Sequence, residues 1–449
     1  MDKGNSYIVN IEKMSNLGTG ITHVDGFVVF VENACIGDEA KIEITYVSKS
    51  YANAKIIDLI KPSQYRIKPF CAMQKLCGAC QIQYIDYNYQ LEIKRQTVKD
   101  VLKSIGGIDI EVPLTIPSPN NNCYRHKIQY PVSQTKISKR FLVGYYKPKS
   151  HEVVNIKHCP IQPHICDEII EFIRDYAIEY NISGYDEKNH SGDLKHVVLR
   201  ISSLNGKVLV TLVVNSKKIS KNIENFAKLL YNNFSEVVGV CINLNPKQTN
   251  VILSDNTICV AGEPFVEDKI IDKIFKIGAE TFFQVNPKSA ENIFSYVKNE
   301  VAKNANPAVL DAYAGIAAFG IVISDVAKEV VSVESNKSSI EIAEYVLKLN
   351  KINNVELHAE DTTKFLKTIK RKFDITILDP PRKGCTKDSL DETLKHTKNK
   401  IIYVSCNPAT LARDLKYLIE KGCKVVSVQP FDLFCHTYHV ETVVVLNID

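Results

Sequence analysis

The sequence predicts a multidomain chain of three parts: a small OB-like β-barrel over 1–62, an α+β segment over 63–265 and a Rossmann-like α/β domain over 266–449. Three observations carry that division. Short alternating strands punctuated by Gly18, Gly20, Gly26 and Gly37 fill the first part. Cys71, Cys77 and Cys80 then fall within ten residues, bracketed by a linker carrying Pro62 and Pro69. From about residue 266 onwards strand and helix patterns alternate, the signature of a parallel sheet with helices on both faces.

A chain of 449 residues is too long for one ordinary core, so several domains are expected. With 45% hydrophobic and 24% charged residues the composition is globular, which excludes a disordered or fibrous chain. No apolar run approaches the roughly 18 residues of a membrane span, and Met1-Asp2-Lys3-Gly4-Asn5 lacks the apolar stretch of a signal peptide. A cytoplasmic monomer without a membrane partner is the expectation. The net charge of +5 permits a polyanionic partner without requiring one. Of only nine arginines, Arg125, Arg200, Arg382 and Arg413 lie inside the motif stretches below, where guanidinium forks suit phosphate or carboxylate. Thirteen cysteines in a chain with no signal do not read as a disulfide framework. Metal ligation plus a reactive thiol fits better.

In the first part, strands are expected over 7–11, 26–31, 40–47 and 51–59, with the glycines at the turns. Leu17-Gly18-Thr19-Gly20, Phe27-Val28-Val29-Phe30-Val31, Ala34, Gly37-Asp38 and Ser63 resemble a TRAM domain, which implies an OB-like barrel that binds RNA.

The three clustered thiols, Cys71, Cys77 and Cys80, are one ligand short of a metal site. Cys159 in His158-Cys159-Pro160 is the best fourth, with Cys166 and Cys123 as competitors. A three-plus-one spacing leans towards [4Fe-4S], with zinc as the alternative occupant. Helical periodicity follows over 84–105 and stops at Gly106-Gly107. Tyr124-Arg125-His126-Lys127 then sets cations beside aromatics at a strand start, a combination that grips phosphate and stacks a base. Gly144-Tyr145-Tyr146-Lys147 and the run 192–200 repeat the theme, and 207–214 reads as a buried strand.

In the third part, Ala308-Val309-Leu310-Asp311-Ala312-Tyr313-Ala314-Gly315 is a strand entering a glycine turn, a helix follows over 317–327, and a strand over 328–334 ends in Glu334. This is the nucleotide-binding crossover, whose acid accepts hydrogen bonds from ribose hydroxyls. With no second glycine to admit a diphosphate, S-adenosylmethionine is the expected cofactor. The strand 373–378 delivers Asp379-Pro380-Pro381-Arg382-Lys383-Gly384, and the strand 400–404 delivers Cys406 before Asn407-Pro408. Closing antiparallel strands are expected over 422–428 and 439–446, with Glu441 entering the last.

One thiol, one carboxylate and a methyl donor make a coherent chemistry. C5 of uracil is a poor nucleophile until a thiolate adds to C6. C5 then takes the methyl, a base removes the C5 proton and the thiolate is expelled. Cys406 suits the nucleophile and Glu441 the base, with Asp379 placed to hold the pyrimidine edge or the donor. The target must be unpaired or extruded, which accounts for RNA-gripping modules upstream.

These stretches, with Phe282-Phe283-Gln284-Val285-Asn286 and His439-Val440-Glu441, resemble the RNA uracil-C5 methyltransferase family, in particular its TRAM-bearing, iron-sulfur branch acting on 23S ribosomal RNA. The resemblance spans nearly the whole chain. It implies donor contacts at Gln284, Tyr313, Glu334 and Asp379, Cys406 as nucleophile, Glu441 as base, and Cys71, Cys77, Cys80 and Cys159 as [4Fe-4S] ligands. Arg125, Lys127 and Arg382 are the candidate RNA contacts. Ala314, Ala317, His126 and Cys435 depart from the family pattern, none at the nucleophile or the base. The rival readings are a transfer RNA 5-methyluridine methyltransferase, a cytosine-C5 methyltransferase and a non-catalytic iron-sulfur RNA-binding protein. The last leaves Asp379, Cys406 and Glu441 without a reason.

Overall fold

The computed structural model describes residues 1–448, and among them no helix is long and apolar enough to cross a membrane. The N-terminal residues form one six-stranded sheet, ordered Ser6–Asn10, Glu39–Val47, Tyr51–Lys61, Phe27–Glu32, Gly20–Val24 and Lys13–Met14. Alternation along its strands buries Val29, Val31, Ile42, Ile44, Ala52 and Ala54 in one small core. Gly20–Val24 and Lys13–Met14 go beyond the four expected strands. The turn residues Gly18-Thr19-Gly20 mask the first, and two residues carry no periodicity to reveal the second.

Residues 62–86 carry the three clustered cysteines with no named helix or strand. The helix Tyr87–Val101 begins where the Asp86 carboxylate accepts from the backbone N–H of Asn88 and Tyr89. It runs on into a π-helical turn, Leu102–Gly106, and Gly107 ends it at φ 67°. The central sheet has the order Thr257–Gly262, Val237–Leu244, Val208–Val214, Leu194–Ile201, Lys127–Gln134 and Phe141–Val143, and the helices Ile165–Tyr176 and Lys221–Asn233 share its core.

The C-terminal sheet has seven strands in the order Val355–Ala359, Glu329–Glu334, Ala308–Ala312, Phe373–Leu378, Thr397–Ser405, Glu441–Ile448 and Cys423–Phe431. The first five are parallel, and Glu441–Ile448 runs antiparallel to both its neighbours. The strand order reverses between Ala308–Ala312 and Phe373–Leu378, so the ligand crevice of such a sheet opens at their carboxyl ends. The last strand begins at Glu441, two residues later than expected, because 432–440 turns away to meet the rest of the molecule. There Asp432 pairs with Lys94 of the helix Tyr87–Val101, the Tyr124 hydroxyl donates to Cys435 O at 2.9 Å, and Leu433 O accepts from Asn286 Nδ2 at 3.1 Å.

Candidate active site

Cys406 occupies the link between the strand Thr397–Ser405 and the helix Pro408–Glu420. Asn407-Pro408 therefore starts a helix as well as ending a strand: the Asn407 side chain caps it, accepting from Ala409 N, and Pro408 takes the first turn, where its missing N–H costs nothing. Register does the rest. Ser405 pairs with Thr442 and Leu378 with Tyr403, so Cys406, Glu441 and Asp379 emerge side by side at one edge of the sheet. The Asp379-Pro380-Pro381-Arg382 loop is held from beneath by the same helix, since Asn407 Nδ2 and Thr410 Oγ1 donate to Arg382 O at 3.1 and 3.2 Å. Arg413 donates to Lys383 O at 2.9 Å, which makes it a support of this loop.

The electrostatics of the edge are acidic and poorly hydrated. Burial, then the neighbouring Asp379, pushes the Glu441 carboxyl up to about 8, and burial with Asp311 nearby raises Asp379 to about 7. Cys406 stands at a helix N-terminus, which favours a thiolate. Burial and the adjacent Glu441 outweigh that and raise the thiol to about 11, while Arg382 opposes the rise. A cation entering here would lower all three groups.

On the other side of the strand reversal, Tyr313, Gly315 and Ala317 take the left-handed conformation at φ 61°, 57° and 56°. For Tyr313 and Ala317 this is strain of the kind held at ligand sites. Glu334 Oε2 accepts from Gly315 N at 3.0 Å and Oε1 from Asn336 N at 2.7 Å, which presets the carboxylate at the turn. Behind it Asp311 is fully buried, and its Oδ1 finds no hydrogen-bond partner. Gln284 is half-buried in a loop whose neighbour Val285 accepts from His126 N at 2.7 Å. A donor set of Asp311, Glu334 and Asp379, one of them carrying an orphaned oxygen, fits a cationic, diphosphate-free nucleoside.

The four cysteines Cys71, Cys77, Cys80 and Cys159 line one small cavity, and the other three raise the Cys80 thiol. Burial drives Cys159 up to about 12 and Cys80 higher still, so neighbouring positive charge is needed to hold these groups as thiolates. Among the described residues no group of three or more His, Cys, Asp or Glu side chains stands in ligating geometry as it is. The cavity gathers the right donors without closing them. Cys166 is fully buried beyond it and Cys123 is exposed, and neither lines it.

Arg125, with its guanidinium 5.2 Å from the Tyr145 ring centroid, lines an open groove together with Tyr146, Lys147, Lys149, Phe434, His439 and Arg382. The groove runs from the cysteine loop at Gly78 to Arg382 and His439, which also line the cavity at Cys406. Lys127 is directly opposite Arg200 in the central sheet. Burial, with Arg200 and Arg125 alongside, pushes its ammonium down to about 7. Arg200 is itself buried and donates to Thr281 O. Lys195, in the run expected to meet a ligand, is instead 3% exposed and spent on backbone carbonyls of Asn245 and Lys247. Sequence reasoning missed the buried Lys94–Asp432 pair and the pocket residues Asn16, Thr97 and Tyr438. For Lys94 a signal existed, a cation placed on the apolar stripe of Leu91 and Val98.

A doubly wound sheet with one antiparallel strand set next to its edge, with a glycine turn facing an acid, defines the Rossmann-like class of S-adenosylmethionine-dependent methyltransferases. Residues 86–448 match the family model described as tRNA (Uracil-5-)-methyltransferase, and the chain belongs to that family of RNA methyltransferases; residues 3–57 match the TRAM domain. A relative from Clostridium tetani named as an uncharacterized RNA methyltransferase is 37% identical over 99% of this chain and 97% of its own. One of the same description from Clostridium acetobutylicum is 36% identical over the same shares. Among solved structures, the Pyrococcus abyssi tRNA (uracil-54, C5)-methyltransferase in complex with S-adenosyl-L-homocysteine superposes with a TM-score of 0.78 at 26% identity, covering 98% of this chain and 100% of that one.

Proposed function

We propose that the protein methylates C5 of a uridine in RNA, using S-adenosylmethionine, with Cys406 as nucleophile and Glu441 as base. The observation that carries this reading is the register that sets a thiol, a neutral-range carboxyl and Asp379 at one edge of the sheet. Cys406 adds to C6 as a thiolate, forming a C–S bond and leaving C5 electron-rich. The donor, when bound, supplies the methyl group to C5 and the positive charge that the acidic pocket lacks. Gln284, Tyr313, Glu334 and Asp379 hold and orient it. Glu441 then takes the proton from C5, and the electron pair of that bond expels the thiolate and restores the ring.

Residues 1–62 and 63–265 are assigned to gripping RNA and residues 266–449 to the chemistry. Arg125 and Arg382 lie along the groove that leads to the thiol, and Lys127 backs Arg125. Cys71, Cys77, Cys80 and Cys159 would hold a [4Fe-4S] cluster, which would supply a cross-link between the cysteine loop and the central domain and take part in no step. The target is assigned to 23S ribosomal RNA. Transfer RNA is the second reading, favoured by the activity printed for the Pyrococcus enzyme.

The test of the mechanism is trapping. RNA carrying 5-fluorouridine cannot release a proton from C5, so the wild type is expected to accumulate a covalent adduct and Cys406→Ala to form none. An adduct that persists in Cys406→Ala would overturn the assignment. Mass-spectrometric mapping of 5-methyluridine in ribosomal and transfer RNA, with and without the gene, decides the target.

A further inference from the structure

The cavity over Cys406 is walled in part by the N-terminal domain. About 200 Å³ in size, it is lined by Cys406, Asn407, Pro408 and Arg382 on one side and by Tyr438, His439, Asn16 and Leu17 on another, with Thr97 beneath. Asn16 and Leu17 belong to the turn that joins the strands Lys13–Met14 and Gly20–Val24. That turn is built rather than loose. Ser15 Oγ accepts from Leu17 N at 3.2 Å and Thr19 N at 3.1 Å and shares a hydrogen bond with Thr19 Oγ1 at 2.8 Å. Gly18 closes it at φ +74°, where a Cβ would stand 3.2 Å from Tyr438 Cβ and 3.4 Å from Ile82 Cγ2. The close approach needs glycine, and it presses the turn against the segment that carries His439.

The two residues ahead of that contact take no part in it. Leu17 is 63% exposed although it is the most apolar residue of the turn, and Asn16 is exposed beside it. A leucine held wet on a rigid turn, at the rim of a cavity of single-nucleobase scale that contains the proposed nucleophile, is placed to pack against whatever enters that cavity. His439 opposite is kept neutral, since burial and Arg382 pull it down to about 4, and its ring lies tilted against Tyr438 with centroids 4.4 Å apart. An apolar wall facing neutral rings is how an extruded base is held.

We propose that the Ser15–Thr19 turn is part of the target-nucleotide pocket: Leu17 packs against the extruded nucleotide, Asn16 hydrogen-bonds it, and the N-terminal domain thereby selects which uridine reaches Cys406. This rests on the uridine chemistry proposed above. It makes the domain a specificity element of the catalytic centre in addition to a tether for RNA.

The test uses the full-length protein and 5-fluorouridine transcripts of 23S ribosomal RNA and transfer RNA, read as the adduct rate at saturating RNA and, separately, as RNA affinity. Leu17→Ala is expected to lower the saturated adduct rate about tenfold with less than about a twofold change in affinity, and Asn16→Ala to lower it less. Val426→Ala trims an apolar side chain of comparable exposure, 52%, on the edge strand Cys423–Phe431, outside both the RNA-gripping segments and the cavity, and is expected to leave the rate unchanged. The inference fails if Leu17→Ala matches Val426→Ala, or if its loss appears entirely in affinity. A wild type that forms no adduct with either RNA would instead sink the uridine chemistry itself, so the two failures are distinct.

Discussion

Lys94 and Asp432 form a 2.6 Å ion pair whose side chains are 1% and 0% exposed, joining the helix that follows the cysteine loop to the turn that precedes Glu441. Asp432 also accepts from the Tyr87 hydroxyl at 2.9 Å, and Lys94 also donates to Phe434 O at 3.0 Å. A pair satisfied on both sides is costly to break because the remaining charge stays buried. Lys94→Ala is expected to destabilise the protein by about 3–5 kcal/mol, measured by urea or thermal unfolding. A loss below about 1 kcal/mol would show that the charges are hydrated.

Glu441→Gln separates the two halves of the proposed reaction. The nucleophile is intact, so addition and methyl transfer proceed, but the C5 proton has no acceptor. Turnover is expected to fall by roughly 10²–10⁴ while ordinary, fluorine-free RNA becomes trapped as a methylated covalent adduct, visible as a mobility shift on denaturing gels. Loss of turnover without any adduct would place Glu441 before the methyl transfer.

Three raised carboxyls make stability and activity move in opposite directions with pH. Burial pushes Asp311 and Asp379 up to about 7 and Glu441 up to about 8 in the folded protein, against roughly 4 when unfolded. The stability they contribute is complete below the unfolded value and is lost as pH rises through 7 to 8. The donor-free protein should therefore melt lower at pH 8.5 than at 6, and Asp379→Asn with Glu441→Gln should flatten that slope. Turnover should rise over the same interval. Added S-adenosylmethionine should stabilise most at the alkaline end, where its positive charge meets ionised carboxylates.

If the four cysteines hold a cluster, anaerobically purified protein should carry iron and sulfide with visible charge-transfer absorption. Removing iron by chelation should lower the melting temperature and leave the saturated adduct rate within about twofold, because burial of these thiols links metal binding to folding. Cys80→Ser should lose the absorption. Zinc in place of iron in metal analysis would select the other occupant.

Local features were the legible ones. The strand Ala308–Ala312 with its glycine turn, the strand entering Asp379 and the strand ending at Cys406 each announce themselves within a few residues, because β-branched runs stop at turn formers. The pairing of Ser405 with Thr442 is not written in either segment; it depends on how far the chain wanders between them before returning. Lys127 and Arg200 lie far apart in sequence, each in a separate motif stretch, and only the pairing of their strands reveals two like charges face to face. Leu17 belongs to the stretch resembling a TRAM domain, but nothing local shows it leaning over a thiol in another domain.

The turn at 432–440 has a consequence for tolerance to insertion. A connection between neighbouring strands at the rim of a sheet is ordinarily where extra residues do least harm. This one is tied to Gln90 and Asn121 through His436, to Asn286 through Leu433 and to Ser289 through Asp432. The loop around Ile137, at 98% exposure, is held by hydrogen bonds within itself, Thr135 to Ser138 and Arg140. A library of short in-frame insertions should thus give folded protein from the Ile137 loop and none from 432–440. An epitope tag or a fluorescent reporter belongs in the first place, and a disruptive peptide or compound aimed at this enzyme belongs at the second.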